Sequence, residues 1–411
     1  MDSGYKVKIS QITLCGGGNL THNSIASIGH HNPDIKINLL TRRPADWGSE
    51  IVSQTTVSPW KDKGPLTGKL NKVSDKPEDV VPGSQAIIIA GPACAHYEIL
   101  KRCAPYTEDG AFVGTVFGQG GFDLQARSAF GEDQLAKRGI TVFGLKHVPY
   151  LCKATKYGHE AKIIGVKTFL YAACFPLEKA SEVSEVCQHL WSIPTKISPN
   201  FLTLTLTPSN QIIHPGRTFG FWKDWDGETP IDPKTIPFLY DGMDQFSADE
   251  IEKLDVEMTA IVKALKERLP TVDLSLCIGL RERVALDYGE QVGDPSTMLS
   301  VFNTNKGYAG VAFPVLQKGD GVVLNTGCRF FTEDIPFGLV ILKTLADFTN
   351  VKVPNIERQI LWHQKFMKDK FMNDDGTLVQ EAIHLTGSPL RYGIKTAEDL
   401  IPTNSGKPPK L

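Results

Sequence analysis

The chain has 411 residues, of which 41% are hydrophobic and 22% are charged, and its formal net charge is −2. This balance is typical of a soluble globular protein of two or three domains, and it argues against nucleic acid or a membrane as a partner. No apolar stretch reaches the roughly 18 residues that span a bilayer, and no signal peptide is expected. The eight cysteines form no CxxC pair, so we expect no disulfide scaffold, no metal site and a reducing cytoplasm.

Short apolar runs alternate with helical stretches in the first part of the chain. Strands are predicted at 8–15 and 35–41, with a helix between them. Residues 86–91 form a continuous apolar run, which indicates a strand that is buried on both faces. This alternation predicts βαβ units and a parallel sheet. The polar, Pro- and Gly-rich stretch 53–83 is expected to be a surface excursion from that sheet.

Amphipathic helices dominate the chain after about residue 200. A helix is predicted to end at Pro270 and to begin with a capping box of Ser247 and Glu250. FGLVILKTLADF (337–348) and IERQILWHQKFMKDKFM (356–372) are also predicted to be helical.

These patterns predict two domains. We expect an α/β domain over residues 1–203 and a mostly α-helical domain over 204–411. Residues 197–210 form either the linker or the first element after it.

The stretch LCGGGNLTH (14–22) lies between the first predicted strand and the first predicted helix. The fingerprint GxGxxG of Rossmann-type domains uses two glycines to let pyrophosphate approach the backbone and a third to pack the helix on the strand. Gly16 and Gly18 occupy the first two places, and Thr21 occupies the third. We interpret Gly16, Gly17, Gly18 and Asn19 as a pyrophosphate cradle with a slightly looser helix seat. A plain glycine turn is the alternative.

The end of the second predicted strand reads Thr41-Arg42-Arg43 and contains no acidic residue. An acid there binds the ribose hydroxyls of NAD, whereas an arginine accommodates the 2′-phosphate of NADP. Local chemistry therefore permits NADP. Alternatively, the arginines stack on adenine or face solvent.

Two segments of the second half contain the candidate catalytic residues. His214 stands before a proline in QIIHPGRTFGFW, and Arg329 and Asp334 lie in NTGCRFFTEDIPFG. Histidine transfers protons near neutral pH, a carboxylate can fix its tautomer, and an arginine can bind a carboxylate at two points. Taken singly, the residues favour structural roles: His214 that of a core or surface histidine, and Arg329 and Asp334 that of a solvated ion pair.

Eight strings along the chain together resemble the opine dehydrogenases of marine invertebrates, such as octopine, tauropine, alanopine and strombine dehydrogenases. The strings are CGGGN (15–19), GPACAH (91–96), GQGGF (118–122), VPYLCK (148–153), HPGRTFGFW (214–222), FLYDGMDQFSADE (238–250), TNKGY (304–308) and RFFTEDIPFG (329–338). The resemblance implies a nucleotide-binding domain followed by a helical opine dehydrogenase domain. It also implies an NADH-dependent reductive condensation of a 2-oxo acid, usually pyruvate, with an amino acid, which recycles NAD in anaerobic glycolysis.

The resemblance also implies roles for individual residues. His214 matches the family's acid/base, Asp334 its carboxylate partner, and Arg329 the arginine that contacts cofactor and substrate. The positions expected to contact the cofactor are Gly16, Gly17, Gly18, Asn19, Thr41, Arg42, Arg43 and Pro92. The positions expected to contact the substrates are Gln119, Lys146, His147, Cys152 and Arg283.

One departure from the family bears on the amine substrate. Octopine-forming members hold the guanidinium of arginine with a glutamate, and the matching position here is Lys146. A lysine repels a guanidinium, so taurine or a small amino acid such as alanine, β-alanine or glycine is expected in place of arginine. A second positive charge, Arg283, stands near the position of a family tryptophan. The alternative is that Lys146 faces solvent.

Two other functions fit the same architecture. One is a different two-domain NAD(P)-dependent reductase of a 2-oxo acid, and the other is a non-catalytic dinucleotide-binding sensor. Neither requires the strings HPGRTFGFW and TEDIP. We expect a monomer that acts on small molecules.

Overall fold

The computed structural model describes residues 7–55, 57–60 and 64–402. They form two compact units. The N-terminal unit runs to Thr205 and includes Ile401 and Pro402, and the helical unit is Leu206–Leu400. The division falls within residues 197–210. Across the described residues, no helix is long and apolar enough to cross a membrane.

The N-terminal unit is an α/β structure. Its strands are β1 Gln11–Cys15, β2 Lys36–Leu40, β3 Glu50–Thr55, β4 Leu66–Ser74, β5 Ala86–Ile89, β6 Phe112–Thr115, β7 Thr141–Leu145, β8 Tyr150–Lys156, β9 Glu160–Val166, β10 Leu170–Phe175 and β11 Thr195–Ile197. Its helices are α1 Asn19–His31, α2 Pro77–Val80, α3 Ala93–Cys103, α4 Phe122–Phe130, α5 Glu132–Lys137, α6 Ala180–Trp191 and α7 Phe201–Thr205.

The strands form one sheet in the order β11-β10-β7-β6-β5-β1-β2-β4-β3-β9-β8. Six of them, in the order β4-β2-β1-β5-β6-β7, pair in parallel. This is the strand order of a Rossmann-type fold, and the order reverses between β1 and β5. Antiparallel pairs extend the sheet, with β10 on β7, β3 on β4 and β8 on β9. The predicted α/β class is confirmed.

Both faces of the sheet are covered, as β5 illustrates. Ala86 and Ile88 pack in one core with α1 and α6, whereas Ile87 and Ile89 pack in a second core with α3 and α4. Because successive side chains of a strand point to opposite faces, an uninterrupted apolar run is buried on both sides.

The stretch 53–83 is not a surface excursion, and that prediction is wrong. It contains the end of β3 and all of β4, and β4 pairs in parallel with β2 inside the sheet. In β4 the buried residues are Leu66 and Gly68, two alternate positions at the start of the strand. The outward-facing residues therefore make the stretch polar in composition. Residues 56 and 61–63 of this stretch lie outside the described part.

Helix α1 packs closely on β4 at positions away from Thr21. A Cβ atom at Gly68 would lie 1.9 Å from the carbonyl oxygen of Ile25, and one at Gly29 would lie 2.6 Å from the Cα of Gly68. Thr21 itself is fully buried. Two glycines outside the fingerprint therefore permit the contact between helix and strand.

The helical unit confirms the predicted mostly α-helical second domain. Its helices are α8 Asn210–Trp222, α9 Gln245–Arg268, α10 Leu280–Tyr288, α11 Met298–Asn303, α12 Arg329–Thr332, α13 Val340–Thr349 and α14 Pro354–His363. A hairpin of β12 Val315–Lys318 and β13 Gly321–Leu324 is also present, and a π-helical turn, Ile335–Leu339, leads into α13.

The predicted capping box of α9 is wrong by one turn. The N-cap is Asp244, whose Oδ1 accepts a hydrogen bond from the backbone N–H of Ser247 at 2.8 Å. Ser247 thus lies inside the helix. Asp244 also pairs with Arg217 of α8, a buried cation that a pattern search along α9 does not reveal.

The last predicted helix is shorter than the apolar pattern indicated. Helix α14 ends at His363 and is followed by a single 3-10 turn. The side chain of Gln364 then accepts hydrogen bonds from the backbone N–H groups of Phe371 and Met372 at 3.0 and 3.1 Å. These bonds turn the chain back, so the segment after residue 366 does not continue the helix.

Candidate active site

The glycine loop connects β1 to α1 at the point where the strand order reverses. Gly16 has φ +150°, and a Cβ atom there would lie 2.7 Å from Oγ1 of Thr21. Gly18 is the N-cap of α1, and a Cβ atom there would meet nothing within 4 Å. The first amide groups of a helix lack intrahelical partners and attract anions. The open space at Gly18 and these amides fit a pyrophosphate.

The β8–β9 hairpin contacts the residues that follow the glycine loop. Oδ1 of Asn19 accepts a hydrogen bond from the backbone N–H of Ala154 on β8 at 2.9 Å. His22 donates from Nδ1 to the Gly18 carbonyl at 2.8 Å and accepts at Nε2 from the Gly158 N–H at 2.7 Å. The hairpin is therefore fixed against the loop.

Arg43 is engaged within the N-terminal unit. It pairs with Asp46, and its guanidinium lies 4.4 Å from the ring centre of Tyr157. The Tyr157 hydroxyl would lie 2.8 Å from a Cβ atom at Gly17. Thr41 is buried and Arg42 is exposed. Tyr157 and Asp46 were not predicted from the sequence, because neither falls within a motif and only the hairpin brings Tyr157 to the loop.

Pro92 is the N-cap of α3 and follows β5 on the other side of the reversal point. The imidazole of His96 donates from Nε2 to the carbonyl oxygen of Gly91 at 3.0 Å. Burial lowers the pKa of His96 to about 4, so the ring is neutral and the turn before α3 keeps this hydrogen bond at physiological pH.

Gln119 and Lys146 lie together after β6 and β7. The side-chain amide of Gln119 donates to the carbonyl oxygen of Lys146 at 3.3 Å. Lys146 is 8% exposed, so it does not face solvent, and its Nζ lies 5.8 Å from the ring centre of Tyr171. His147 is half-buried beside it. Two predicted substrate positions are thus neighbours, and one of them contributes a buried cation.

Cys152 and Arg283 have surroundings that the sequence did not indicate. Cys152 lies on β8, and burial raises the pKa of its thiol to about 12 while a hydrogen bond with Asn23 opposes this effect. The thiol is therefore not a nucleophile at neutral pH.

Arg283 is buried in the helical unit, where its guanidinium donates to the carbonyl oxygens of Thr207 and Pro208 at 2.7 and 2.6 Å. It thereby fixes the segment before α8, and it would have to release these bonds to contact a substrate.

His214 lies on α8, which packs closely on α9. A Cβ atom at Gly216 would lie 2.7 Å from Cγ1 of Ile251, and one at Gly220 would lie 2.2 Å from Oγ of Ser247. These two glycines allow the helices to approach each other and so hold the α8 backbone that carries His214. His214 is fully buried.

The structure brings His214 and Asp334 together. Nδ1 of His214 donates to Oδ2 of Asp334 at 2.7 Å, and Asp334 is only 4% exposed. Asp334 is the residue before the π-helical turn. The two residues are therefore neither a surface histidine nor part of a solvated ion pair. Their arrangement is that of a histidine whose tautomer is set by a carboxylate.

The other side of His214 is occupied by Tyr240. Nε2 of His214 lies 2.9 Å from the Tyr240 hydroxyl, and the imidazole stacks on Phe330 with ring centres 3.8 Å apart. Neither aromatic residue was predicted from the sequence as part of the site. Tyr240 lies in the quoted string FLYDGMD and Phe330 lies beside Arg329, so these strings were the available signal.

The pKa of His214 is lowered by burial, while the charge and the hydrogen bond of Asp334 act in the opposite direction. The positive charge of Arg329 lowers it further. Burial also raises the pKa of Tyr240 above its ordinary value. The resting site is therefore a neutral imidazole that accepts the Tyr240 O–H, with Asp334 as the negative partner.

Arg329 begins α12 and is exposed. Its charge acts on both His214 and Tyr240. An exposed guanidinium next to a buried acid/base can bind a carboxylate and hold the attached carbon near the proton donor. Within the described residues no group of acidic, histidine or cysteine side chains could hold a metal ion.

Comparisons with known proteins cover both units. Residues 197–367 match the family model described as "NAD/NADP octopine/nopaline dehydrogenase, alpha-helical domain". The chain is 29% identical to tauropine dehydrogenase of Arabella iricolor over 405 residues, which cover 95% of this chain and 99% of that protein. It is 26% identical to octopine dehydrogenase of Pecten maximus over 401 residues, 95% of this chain and 98% of that one.

A solved structure of octopine dehydrogenase with NADH and L-arginine has 25% sequence identity to this chain. Its TM-score is 0.83, and the match covers 98% of both chains.

Proposed function

We propose that this chain, a member of the opine dehydrogenase family and an NAD-dependent oxidoreductase, condenses a 2-oxo acid reductively with an amine. We further propose pyruvate as the oxo acid and taurine, alanine, β-alanine or glycine, but not arginine, as the amine. The observation that carries the proposal is the buried His214–Asp334 pair, with the exposed Arg329 at its side.

The N-terminal unit contributes the cofactor site. The glycine cradle at Gly16–Gly18 and the start of α1 fit the pyrophosphate, and Pro92 borders the same reversal point of the sheet. NADH, when bound, supplies the hydride that reduces the imine. Arg43 is paired with Asp46 and stacked on Tyr157, so a 2′-phosphate would have to compete with both contacts. This engagement supports NADH over NADPH.

The helical unit contributes proton transfer and carboxylate binding. Formation of an imine from a carbonyl and an amine releases water, and the departing oxygen needs a proton. His214 provides that proton in its protonated form, while Asp334 stabilises the imidazolium. Arg329 binds the carboxylate of the 2-oxo acid and orients its carbonyl carbon.

The choice of amine is proposed to depend on Lys146. The buried side chain of Lys146, whose ammonium lies 5.8 Å from the ring centre of Tyr171, attracts a carboxylate or sulfonate and repels a guanidinium. Relatives named for tauropine and for octopine match at similar identity, 29% and 26%. The amine therefore has to be measured.

The test is NADH oxidation with pyruvate and each of taurine, alanine, β-alanine, glycine and arginine. We expect oxidation that depends on one of the first four amines, with little or none for arginine and slower oxidation with NADPH. If no amine stimulates oxidation, the proposed reaction is wrong. Efficient use of arginine would instead refute only the interpretation of Lys146.

Variants of Lys146 test the amine site directly. Removing the ammonium in Lys146→Met is expected to raise the KM for the amine about tenfold or more, since a charge-assisted contact of this kind contributes about 1.5–3 kcal/mol. The KM for NADH should stay within about twofold. Lys153→Met, which removes an exposed lysine from β8, is the matched control. Equal effects of the two substitutions would contradict the proposal.

We propose the cytoplasm as the compartment and a monomer as the active form. All eight cysteines carry free thiols, which supports a reducing compartment. Light scattering at assay concentration tests the oligomeric state.

A further inference from the structure

His214 makes no direct contact with solvent. Its side chain is fully buried, and both ring nitrogens are occupied, Nδ1 by Asp334 and Nε2 by Tyr240. The Asp334 carboxylate can only accept, so Nδ1 carries a proton and the Nε2 lone pair faces the Tyr240 hydroxyl. Any proton that enters or leaves Nε2 therefore meets the Tyr240 oxygen first.

Packing keeps Tyr240 in this place. Its ring stacks on Tyr308 with ring centres 4.4 Å apart, and Phe302 stacks beside both. A hydroxyl group has one proton to donate and two lone pairs. Tyr240 can thus donate to one partner while it accepts from another, which is the property of a proton relay.

The position of Arg329 indicates the side from which a substrate approaches. Arg329 is exposed at the start of α12 and directly precedes Phe330, whose ring stacks on the imidazole of His214 with ring centres 3.8 Å apart. A carboxylate bound by Arg329 therefore brings its neighbouring carbonyl carbon toward the Tyr240 and His214 pair.

We propose that Tyr240 is a catalytic residue that passes the proton between Nε2 of His214 and the reacting oxygen of the substrate. This inference rests on the proposed condensation of a 2-oxo acid with an amine. It assigns to Tyr240 the contact with substrate, and to His214 the role of the proton source behind it.

The relay balances in the direction of imine formation. The substrate ammonium first gives one proton, through the Tyr240 oxygen, to Nε2 of the neutral His214, which becomes the imidazolium. The free amine then adds to the carbonyl carbon and gives a carbinolamine. The Tyr240 O–H then protonates the carbinolamine hydroxyl while the Nε2–H of the His214 imidazolium reprotonates the Tyr240 oxygen. The C–O bond breaks, water leaves, and the nitrogen lone pair forms the C=N bond. Neutral His214 remains, again accepting the Tyr240 O–H.

The first test is Tyr240→Phe, which keeps the ring and removes the hydroxyl. We expect kcat to fall about 10²–10⁴-fold, the range for loss of a proton-transfer group, with the KM for NADH within about threefold of wild type. Tyr308→Phe is the control, because its ring stacks on Tyr240 and its hydroxyl pairs with Tyr288. Wild-type or faster turnover of Tyr240→Phe would show that His214 acts directly and would overturn the proposal.

A second test separates proton transfer from simple support of the His214 ring. Incorporation of 3,5-difluorotyrosine at position 240 keeps the hydrogen bond but makes the phenol more acidic. We expect the pH profile of kcat to move to lower pH, because the rate of proton transfer through Tyr240 depends on the pKa of its phenol. An unchanged profile would reduce Tyr240 to a positioning residue and would overturn the catalytic assignment.

A third measurement does not depend on turnover. ¹⁵N NMR of His214 should show the Nδ1–H tautomer with a hydrogen-bonded Nε2 in wild type and the loss of that bond in Tyr240→Phe. If this change appears while no amine supports NADH oxidation, the proposed reaction fails although the hydrogen bond stands. If Nε2 is unaffected by Tyr240→Phe, the relay itself is wrong.

Discussion

At the scale of single residues, the chemistry depends on which partner each polar atom meets. His214 and Asp334 are 120 positions apart in the sequence, yet their side chains share a buried hydrogen bond of 2.7 Å. Burial lowers the pKa of the imidazole, and the nearby carboxylate counteracts this. The carboxylate therefore opposes the effect of burial and favours the imidazolium relative to the same buried ring without a charged partner.

Replacing Asp334 by asparagine tests this balance. Asp334→Asn can no longer stabilise the imidazolium and no longer imposes the Nδ1–H tautomer, so kcat should fall about 10³–10⁴-fold, as for other histidines that lose a carboxylate partner. NADH affinity, measured by fluorescence titration, should stay within about twofold. Asp224→Asn, at an exposed carboxylate of the same unit, is the control. Activity within tenfold of wild type would contradict the assignment.

Two buried histidines predict a pH dependence of stability. Burial lowers the pKa of His96 and of His363 to about 4, against 6.5 in an unfolded chain. The unfolded chain thus binds protons below pH 6.5 that the folded chain does not bind until about pH 4. The free energy of unfolding should therefore decrease as pH falls through this window and be unaffected by these groups above it.

Urea unfolding at a series of pH values, on wild type and His363→Phe, measures this effect. Phenylalanine keeps a ring against Phe331 but cannot take up a proton. The loss of stability between pH 6.5 and 4 should be smaller in the variant by on the order of 2 kcal/mol. Parallel curves for the two proteins would mean that His363 does not contribute.

At the scale of elements, some glycines leave space for a ligand and others allow a helix and a strand to pack closely. Gly18 adopts an extended conformation with φ −91° and has open space around it, whereas Gly68 lies against the backbone of α1. The first position leaves room for a ligand, and the second lets β4 and α1 touch. A fingerprint search along the sequence detects only the first kind.

The two glycines give a paired prediction. Gly18→Ala should fold with nearly wild-type stability but bind NADH at least tenfold more weakly, because its Cβ occupies the cradle. Gly68→Ala should lose about 3 kcal/mol or more, because its Cβ would lie 1.9 Å from a backbone oxygen of α1. Thermal unfolding and NADH titration of both variants test the pair. If Gly18→Ala and wild type bound NADH with equal affinity, the assignment of the glycine loop as the pyrophosphate site would be contradicted.

At the scale of the whole molecule, the two units divide the chemistry. The N-terminal unit has the parallel sheet and the glycine loop, and the helical unit has the His214–Asp334 pair that we propose as the acid/base. Each unit is compact by itself. A cofactor that binds at the glycine loop should therefore change hydrogen exchange most strongly in the N-terminal unit.

Hydrogen–deuterium exchange with and without NADH tests this division. We expect slower exchange in segments 16–22 and 91–96, because a bound pyrophosphate occupies the amides at the starts of α1 and α3. Gly18→Ala at the same NADH concentration should show much less protection. Unchanged exchange in both segments of wild type would contradict the placement of the cofactor.

Much of the architecture was predictable because it depends on local periodicity. The apolar run at 86–91 predicted a doubly buried strand, and amphipathic spacing predicted the second, helical unit. The prediction failed at β4, where only alternate residues are buried, and at the start of α9, where Asp244 was overlooked. In both cases a partner on another element, β2 or Arg217, explains the outcome.

The sequence by itself determined the Rossmann-type and helical organisation, and it identified the glycine loop, His214, Arg329 and Asp334 as candidate site residues. Only the tertiary structure decided that His214 pairs with Asp334, that Tyr240 closes its other nitrogen, and that Lys146 is buried. Local periodicity follows from backbone geometry and is written in neighbouring residues. Hydrogen bonds between distant residues arise only when packing brings their elements together.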